Sequence, residues 1–276
     1  MNADWSLPHT SMGRAPIFGA LADRHAVWWR AALASLALLM FCAGISLFDE
    51  RTINGISVWS KPFKFSLSLA VYFATLAWFA PLMPNGYFQT RKGRLLTWIA
   101  IGCALFEMVY IVLQASRGEA SHFNLTTPFY SVMYSLMGAG AVMLVTVCLW
   151  MGVVILREHG TRDPFVLAVG LGLILTFVLG GGFGGYLGSH MGHWVGGTQS
   201  DANGLWLLGW SRDGGDLRVA HFFGMHAMQV LPVIAAMLPA SVGRNRAIGV
   251  VVGAAVVYAT VTTFTFVQAV LGVPFI

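Results

Sequence analysis

Residues 164–188 read PFVLAVGLGLILTFVLGGGFGGYLG, 25 positions without a single charged side chain. As a helix this run would rise about 37 Å at 1.5 Å per residue, more than the ~30 Å hydrocarbon core of a bilayer. Lipid offers no partner to backbone N–H and C=O groups, so a run of this kind is expected to satisfy them internally, as a helix. Six more apolar runs follow the same pattern, at 27–48, 62–83, 95–115, 128–156, 220–240 and 247–272. The expected fold is therefore all-α: a polytopic integral membrane protein with seven transmembrane helices in one bundle.

Composition agrees. The chain is 57% hydrophobic and 10% charged, with a mean hydropathy of +0.71. A soluble domain carries about 25% charged residues, so most of this surface must face the lipid bilayer. The net charge of +5 comes from Lys and Arg scattered over the loops. There is no basic run, which argues against nucleic acid as a partner. Cys42, Cys103 and Cys148 all fall inside apolar runs without CxxC spacing, so no disulfide framework is implied. No nucleotide-binding loop or nucleophile motif is visible, which argues against a self-contained kinase or ATPase.

Lys and Arg also bear on orientation, because short cytoplasmic segments are enriched in them. With the N-terminus inside, the inner segments hold ten (Arg14, Arg24, Arg30, Arg91, Lys92, Arg94, Arg157, Arg162, Arg244, Arg246). The outer segments hold six (Arg51, Lys61, Lys64, Arg117, Arg212, Arg218). The expectation is a cytoplasmic tail over 1–26, a membrane domain over 27–276 and an extracytoplasmic C-terminus. The setting expected is a bacterial cytoplasmic (inner) membrane.

Immediately after the charge-free run comes SHMGHWVGGTQSDANGLWLLGWSRDGGDLRVAHFFGMHAMQ, residues 189–229. It contains His190, His193, His221 and His226, together with Trp194, Trp206 and Trp210. Residues 189–219 read as a Trp- and Gly-rich extracytoplasmic lid, docked through Asp216 or Arg218. His221 to Gln229 read as pocket wall. His221 and His226 are five apart, about 140° around a helix, so they are expected to face different neighbours. The run's six glycines between 180 and 188 each weaken a helix by about 1 kcal/mol relative to alanine. A flat macrocycle, a closely packed helix or an unwound binding segment would each account for them.

Polar residues inside the spans form stripes. In 95–115 and just beyond it, Cys103, Glu107, Tyr110, Gln114 and Arg117 step by three or four along one face. Another stripe runs Lys64, Ser68, Tyr72, Thr75. Glu107 lies about ten residues, or ~15 Å, from the outer end of its span, where a carboxylate is expected to serve a function. Lys61 reads as an interfacial anchor, and Arg117 as either an anchor or a contact for an acidic ligand.

Two functions fit. The first is a b-type haem or a transition metal (Cu, Zn or Fe) held by histidines on the outer side, in redox chemistry or sensing. Its ligands would come from His122, His190, His193, His221 and His226, with Glu107 joining a bare metal site. Tyr110, Gln114, Arg117, Gln229, Asp216 and Arg218 would surround them. The second is a small-molecule or ion transporter or receptor with an outward polar pocket that uses Glu107. The implied partner is a redox protein in the first case and a small-molecule substrate in the second. No HExxH or other standard metal spacing supports the first, and whether the chain is an enzyme is left open.

Overall fold

The computed structural model describes residues 25–239 and 241–276. Of the tail expected over 1–26, residues 1–24 lie outside this range, as does Ala240 at the end of the sixth run.

Seven helices long and apolar enough to cross a membrane follow in order. They are α1 (Ala26–Ile45), α2 (Ser60–Phe79), α3 (Arg91–Arg117), α4 (Pro128–His159), α5 (Pro164–Ser189), α6 (Leu217–Ala236) and α7 (Arg244–Val270). Their ends are set by capping chemistry more than by hydropathy. Thr127 accepts from Tyr130 N–H ahead of Pro128, and Asp163 accepts from Phe165 and Val166 N–H ahead of Pro164. These side chains satisfy donors that a helix start leaves open. Asp216 caps Arg218 in the same way and starts α6 three residues before its apolar run at 220.

Consecutive helices pack side by side, with α1 against α2 and α7 against both α5 and α6. One apolar core joins α1 through α5 and takes in Met228 of α6, and a smaller one joins α5, α6 and α7. Tyr72 Oη donates to Leu144 O and ties α2 to α4, while Tyr258 Oη donates to Phe223 O and ties α7 to α6.

The glycine run stays helical and contains one wide π turn, Thr176–Gly181. Close packing against α6 explains part of it. A Cβ at Gly224 would stand 2.5 Å from Gly180 N, and one at Gly172 would stand 2.8 Å from Ala227 O. A Cβ at Gly184 would meet the His221 ring at 2.7 Å. The unwound segment considered from the sequence is thus a π turn in an otherwise continuous helix.

The loops at 46–59, 118–127 and 190–216 meet at one end of the bundle. Arg51 donates to Ser116 O, and the N–H of Asp201 donates to Asn54 O. Two short antiparallel ribbons brace this end. The first, β1 (Thr52–Ile53) with β2 (Ile56–Ser57), turns through Asn54-Gly55, both at positive φ as a tight two-residue hairpin demands. The second, β3 (Trp194–Val195) with β4 (Gly215–Asp216), closes the 190–216 segment on itself.

Candidate functional site

Helices α2 and α6 are tied to each other and to the 190–216 loop by long side chains. At the deep end Gln229 Nε2 donates to Thr75 Oγ1 at 3.0 Å. At the looped end Lys64 Nζ donates to Leu208 O at 3.4 Å, while Arg218 Nη2 donates to Gly209 O. Lys61, Lys64, Ser68 and Thr75 share one face of α2; Arg218, Phe222, His226 and Gln229 share one face of α6. Midway between the two bridges Ser68 remains exposed. Ser68 thus lies on the face of α2 that carries Lys64 and Thr75. A hollow beside α7 is lined by Ala259, Phe264 and Val267.

The 190–216 segment is fixed by a buried charge cluster. Arg218 spans Asp216, through Nε at 2.9 Å and Nη2 at 2.6 Å, and Asp201 through Nη2 at 2.8 Å. The other Asp201 neighbour is His193 Nε2 at 3.4 Å. Burial holds the His193 imidazole below its ordinary range even beside this carboxylate, so the contact is a neutral N–H donating to Asp201. Burial alone would raise Asp201, but the bonds from His193 and Arg218 outweigh it and hold the carboxyl below its usual value. Trp210 packs beneath, against Phe222, Phe223 and Phe275. Trp206 at the tip is 96% exposed, so the loop's tryptophans divide between packing and display.

The five histidines go to different places. His190 is exposed and its Nδ1 donates to Gly192 O. His193 belongs to the charge cluster. His122 lies among Phe65, Phe123 and Tyr134, with Ser121 Oγ 3.2 Å from its Nδ1. Burial and then the nearby Lys61 ammonium push His122 well below its ordinary value, so it is neutral. His221 turns to α5, where Nδ1–H donates to Gly180 O at 2.8 Å inside the π turn. His226 Nδ1–H donates to Gln229 Oε1, three residues on along α6 itself, at 3.2 Å. That bond continues through Gln229 to Thr75, whose hydroxyl donates to Val71 O. The 140° separation expected for His221 and His226 is thus realised as two different neighbours. Among the described residues no group of three or more His, Cys, Asp or Glu is gathered as if to hold a metal ion.

The α3 stripe divides too. Gln114 Nε2 donates to Ala120 O and closes the turn after α3. Arg117 lies at the surface, 3.7 Å from Glu119 and 3.4 Å from Tyr130 Oη. Tyr110 is buried. Glu107 is 4% exposed, sits against Gly140, and its Oε1 has no hydrogen-bond partner among the described residues. The cation whose field reaches it is Lys61. Lys61 itself does not hang outward as an anchor; its ammonium lies over the Phe65 ring at 5.8 Å, in the field of Glu107 and Lys64.

Sequence reasoning thus gave no place to Asp201 in the charge cluster and read Lys61 only as an anchor. Lys61 continues the α2 stripe one turn beyond Lys64, a signal that was present. Asp201 sits in a loop without periodicity and gave none. No protein-family model, curated protein or solved structure matches the chain.

Proposed function

We propose that the chain is a small-molecule or ion transporter or receptor of a bacterial cytoplasmic membrane, with its ligand site in the crevice between α2 and α6. Residues 190–216 form the lid, and the lidded end faces outward, as the Lys and Arg distribution favours. The observation that carries this reading is the exposed Ser68 between two bridged levels, with Lys64 and Arg218 above it and Thr75 and Gln229 below. Polar side chains are costly inside a membrane bundle, and their convergence on an opening marks a ligand path. Glu107, with its unpartnered oxygen, supplies a carboxylate that a migrating proton or cation would neutralise.

A direct test replaces Cys42, Cys103 and Cys148 and introduces Ser68→Cys as the labelling site for a membrane-impermeant maleimide. Labelling of intact cells is expected. Additional labelling from the cytoplasmic side of inverted vesicles would mark alternating access, hence transport; outside labelling alone would mark a receptor. Protection from both sides would remove the crevice and the reading with it.

A second reading, a b-type haem or a Cu, Zn or Fe ion, has its own support. His221 and His226 both commit Nδ1–H to fixed acceptors, leaving Nε2 lone pairs in the tautomer that ligating histidines adopt. Each would need a separate partner, since their positions on α6 are about 140° apart. Elemental analysis and a visible spectrum decide this; a Soret band lost in His226→Ala would establish the haem.

A further inference from the structure

We infer that Glu107 binds a proton inside the bundle, so that the ion acting on this chain is the proton and not a metal cation. This rests on the reading above and deepens it, since that reading left proton and cation open at this carboxylate.

The placement of Glu107 carries the assignment. It lies about ten residues, or ~15 Å, inside the end of α3 at Arg117, and it is 4% exposed. Ala104, Met108 and Ile111, all within about a turn of it on α3, belong to the main apolar core, as does Met137, about a turn before Gly140 on α4. Among the described residues Oε1 accepts no hydrogen bond, and no Lys, Arg or His nitrogen stands within salt-bridge distance of the carboxyl. Burying an ionised carboxylate without partners costs several kcal/mol, and a buried acid avoids that cost by holding a proton.

The surroundings also decide between a proton and a metal cation. Hard cations such as Ca2+ and Mg2+ gather about six oxygen ligands, and membrane ion sites draw many of theirs from the carbonyls of unwound helix. At Glu107 and Gly140 both α3 and α4 are regular α-helix, so their carbonyls are engaged within the helices. The π turn of α5 has its Gly180 carbonyl bonded by His221. Softer metals lack ligands too, since no three His, Cys, Asp or Glu side chains gather among the described residues. The backbone of Gly140 comes so close that a Cβ there would stand 3.2 Å from Oε1. A proton asks for one oxygen and no added volume.

Binding makes one O–H bond on the carboxyl and moves no electron; the proton comes from water and returns to it. The neutral acid suits a closed α3–α4 contact and the carboxylate does not, so release of the proton and opening of that contact are coupled. From α2, Lys61 is the cation whose field reaches Glu107, with its ammonium over the Phe65 ring; on α3 the titratable neighbour is Cys103, about a turn away. Neither is hydrogen-bonded to Oε1.

The test records infrared spectra of the purified full chain in lipid nanodiscs, parent against Glu107→Gln, at neutral pH and through an alkaline titration. Expected in the parent is the C=O stretch of a protonated carboxylic acid, moved by exchange into D2O and lost in Glu107→Gln. Glu107→Asp keeps a carboxyl and should keep the band at a shifted frequency, which assigns it even where the glutamine variant fails to fold. In thermal unfolding the parent should lose stability relative to Glu107→Gln as pH rises, because the folded chain holds a proton that the unfolded chain has released. Parent and Glu107→Gln spectra that match at neutral pH overturn the inference. So does a parent midpoint raised by Na+, Ca2+ or Zn2+ and unmoved by them in Glu107→Gln, which would assign a metal cation. Labelling of Ser68→Cys is read separately. Labelling without the band keeps the crevice and removes the proton, whereas the band without labelling keeps the proton and removes the crevice.

Discussion

Replacing Arg218 by Met should release the 190–216 lid without unfolding the bundle. The guanidinium bonds Asp216, Asp201 and Gly209 O at 2.6–2.9 Å. The two acidic side chains are 1% and 6% exposed and that of the arginine is 22% exposed, so values for surface ion pairs do not apply. Removing one partner of a buried pair costs about 3–5 kcal/mol, because the other charge is stranded. The partial exposure of the arginine favours the lower end, about 3 kcal/mol. Hydrogen exchange reads this directly, through the N–H groups of Ser211 and Leu217, which bond Asp216 Oδ2 and His193 O. Their exchange should quicken roughly a hundredfold while the middles of α4 and α5 keep their protection. Adding Asp201→Asn and Asp216→Asn should restore most of the loss, since no unpaired charge then remains. An increase of tenfold or less in the single variant would refute the buried-cluster argument. A triple variant as loose as the single one would show that packing, and not stranded charge, holds the lid.

Two further predictions follow from the same structure. His122 and His193 have folded-state values below the ordinary 6.5, so the unfolded chain binds more protons and stability rises with pH there. Lid protection against protease should therefore fall as pH drops below about 6.5. It should fall again near and below the ordinary Asp value of 3.8 as Asp201, depressed in the fold, takes up its proton; a flat profile between about pH 7.5 and 5 would contradict the histidine assignments. In the α5–α6 contact, Gly224→Ala and Gly172→Ala each force a Cβ onto backbone at 2.5 and 2.8 Å and should destabilise by about 1–3 kcal/mol. Gly182→Ala meets nothing within 4 Å and should be neutral or gain up to about 1 kcal/mol; equal thermal shifts in all three would undo the packing account.

Each span is legible because the bilayer imposes a length and a composition that no other environment asks for together. Their ends were less so. The sixth run continues through Met237, Leu238 and Pro239 in hydropathy, yet α6 stops at Ala236 and begins at Leu217 under the Asp216 cap, a choice made by hydrogen bonds to a few backbone groups. The glycine run left three explanations open, because one-dimensional reading does not say which helix lies alongside. Gly180 and Gly224 answer that only as a pair, 44 positions apart in the sequence.

The site itself depends on azimuth, which hydropathy does not carry. A lysine at the end of a span has a known depth, and depth alone makes Lys61 an anchor among headgroups. What orients it is the rotation of α2, set further along the helix by Gln229 bonding Thr75 across 154 residues of sequence. Once Thr75 faces α6, helical geometry brings Ser68, Lys64 and Lys61 round to within about 40° of the same direction. The histidines show the converse. Their number drew attention to the outer end, but rotation sends His221 to α5 while His226 bonds Gln229 along its own helix, so abundance in one stretch did not produce a shared centre. In a bundle whose apolar surfaces pack almost equally well at many rotations, the few polar bonds between helices decide which side chains meet, and their partners are distant in sequence.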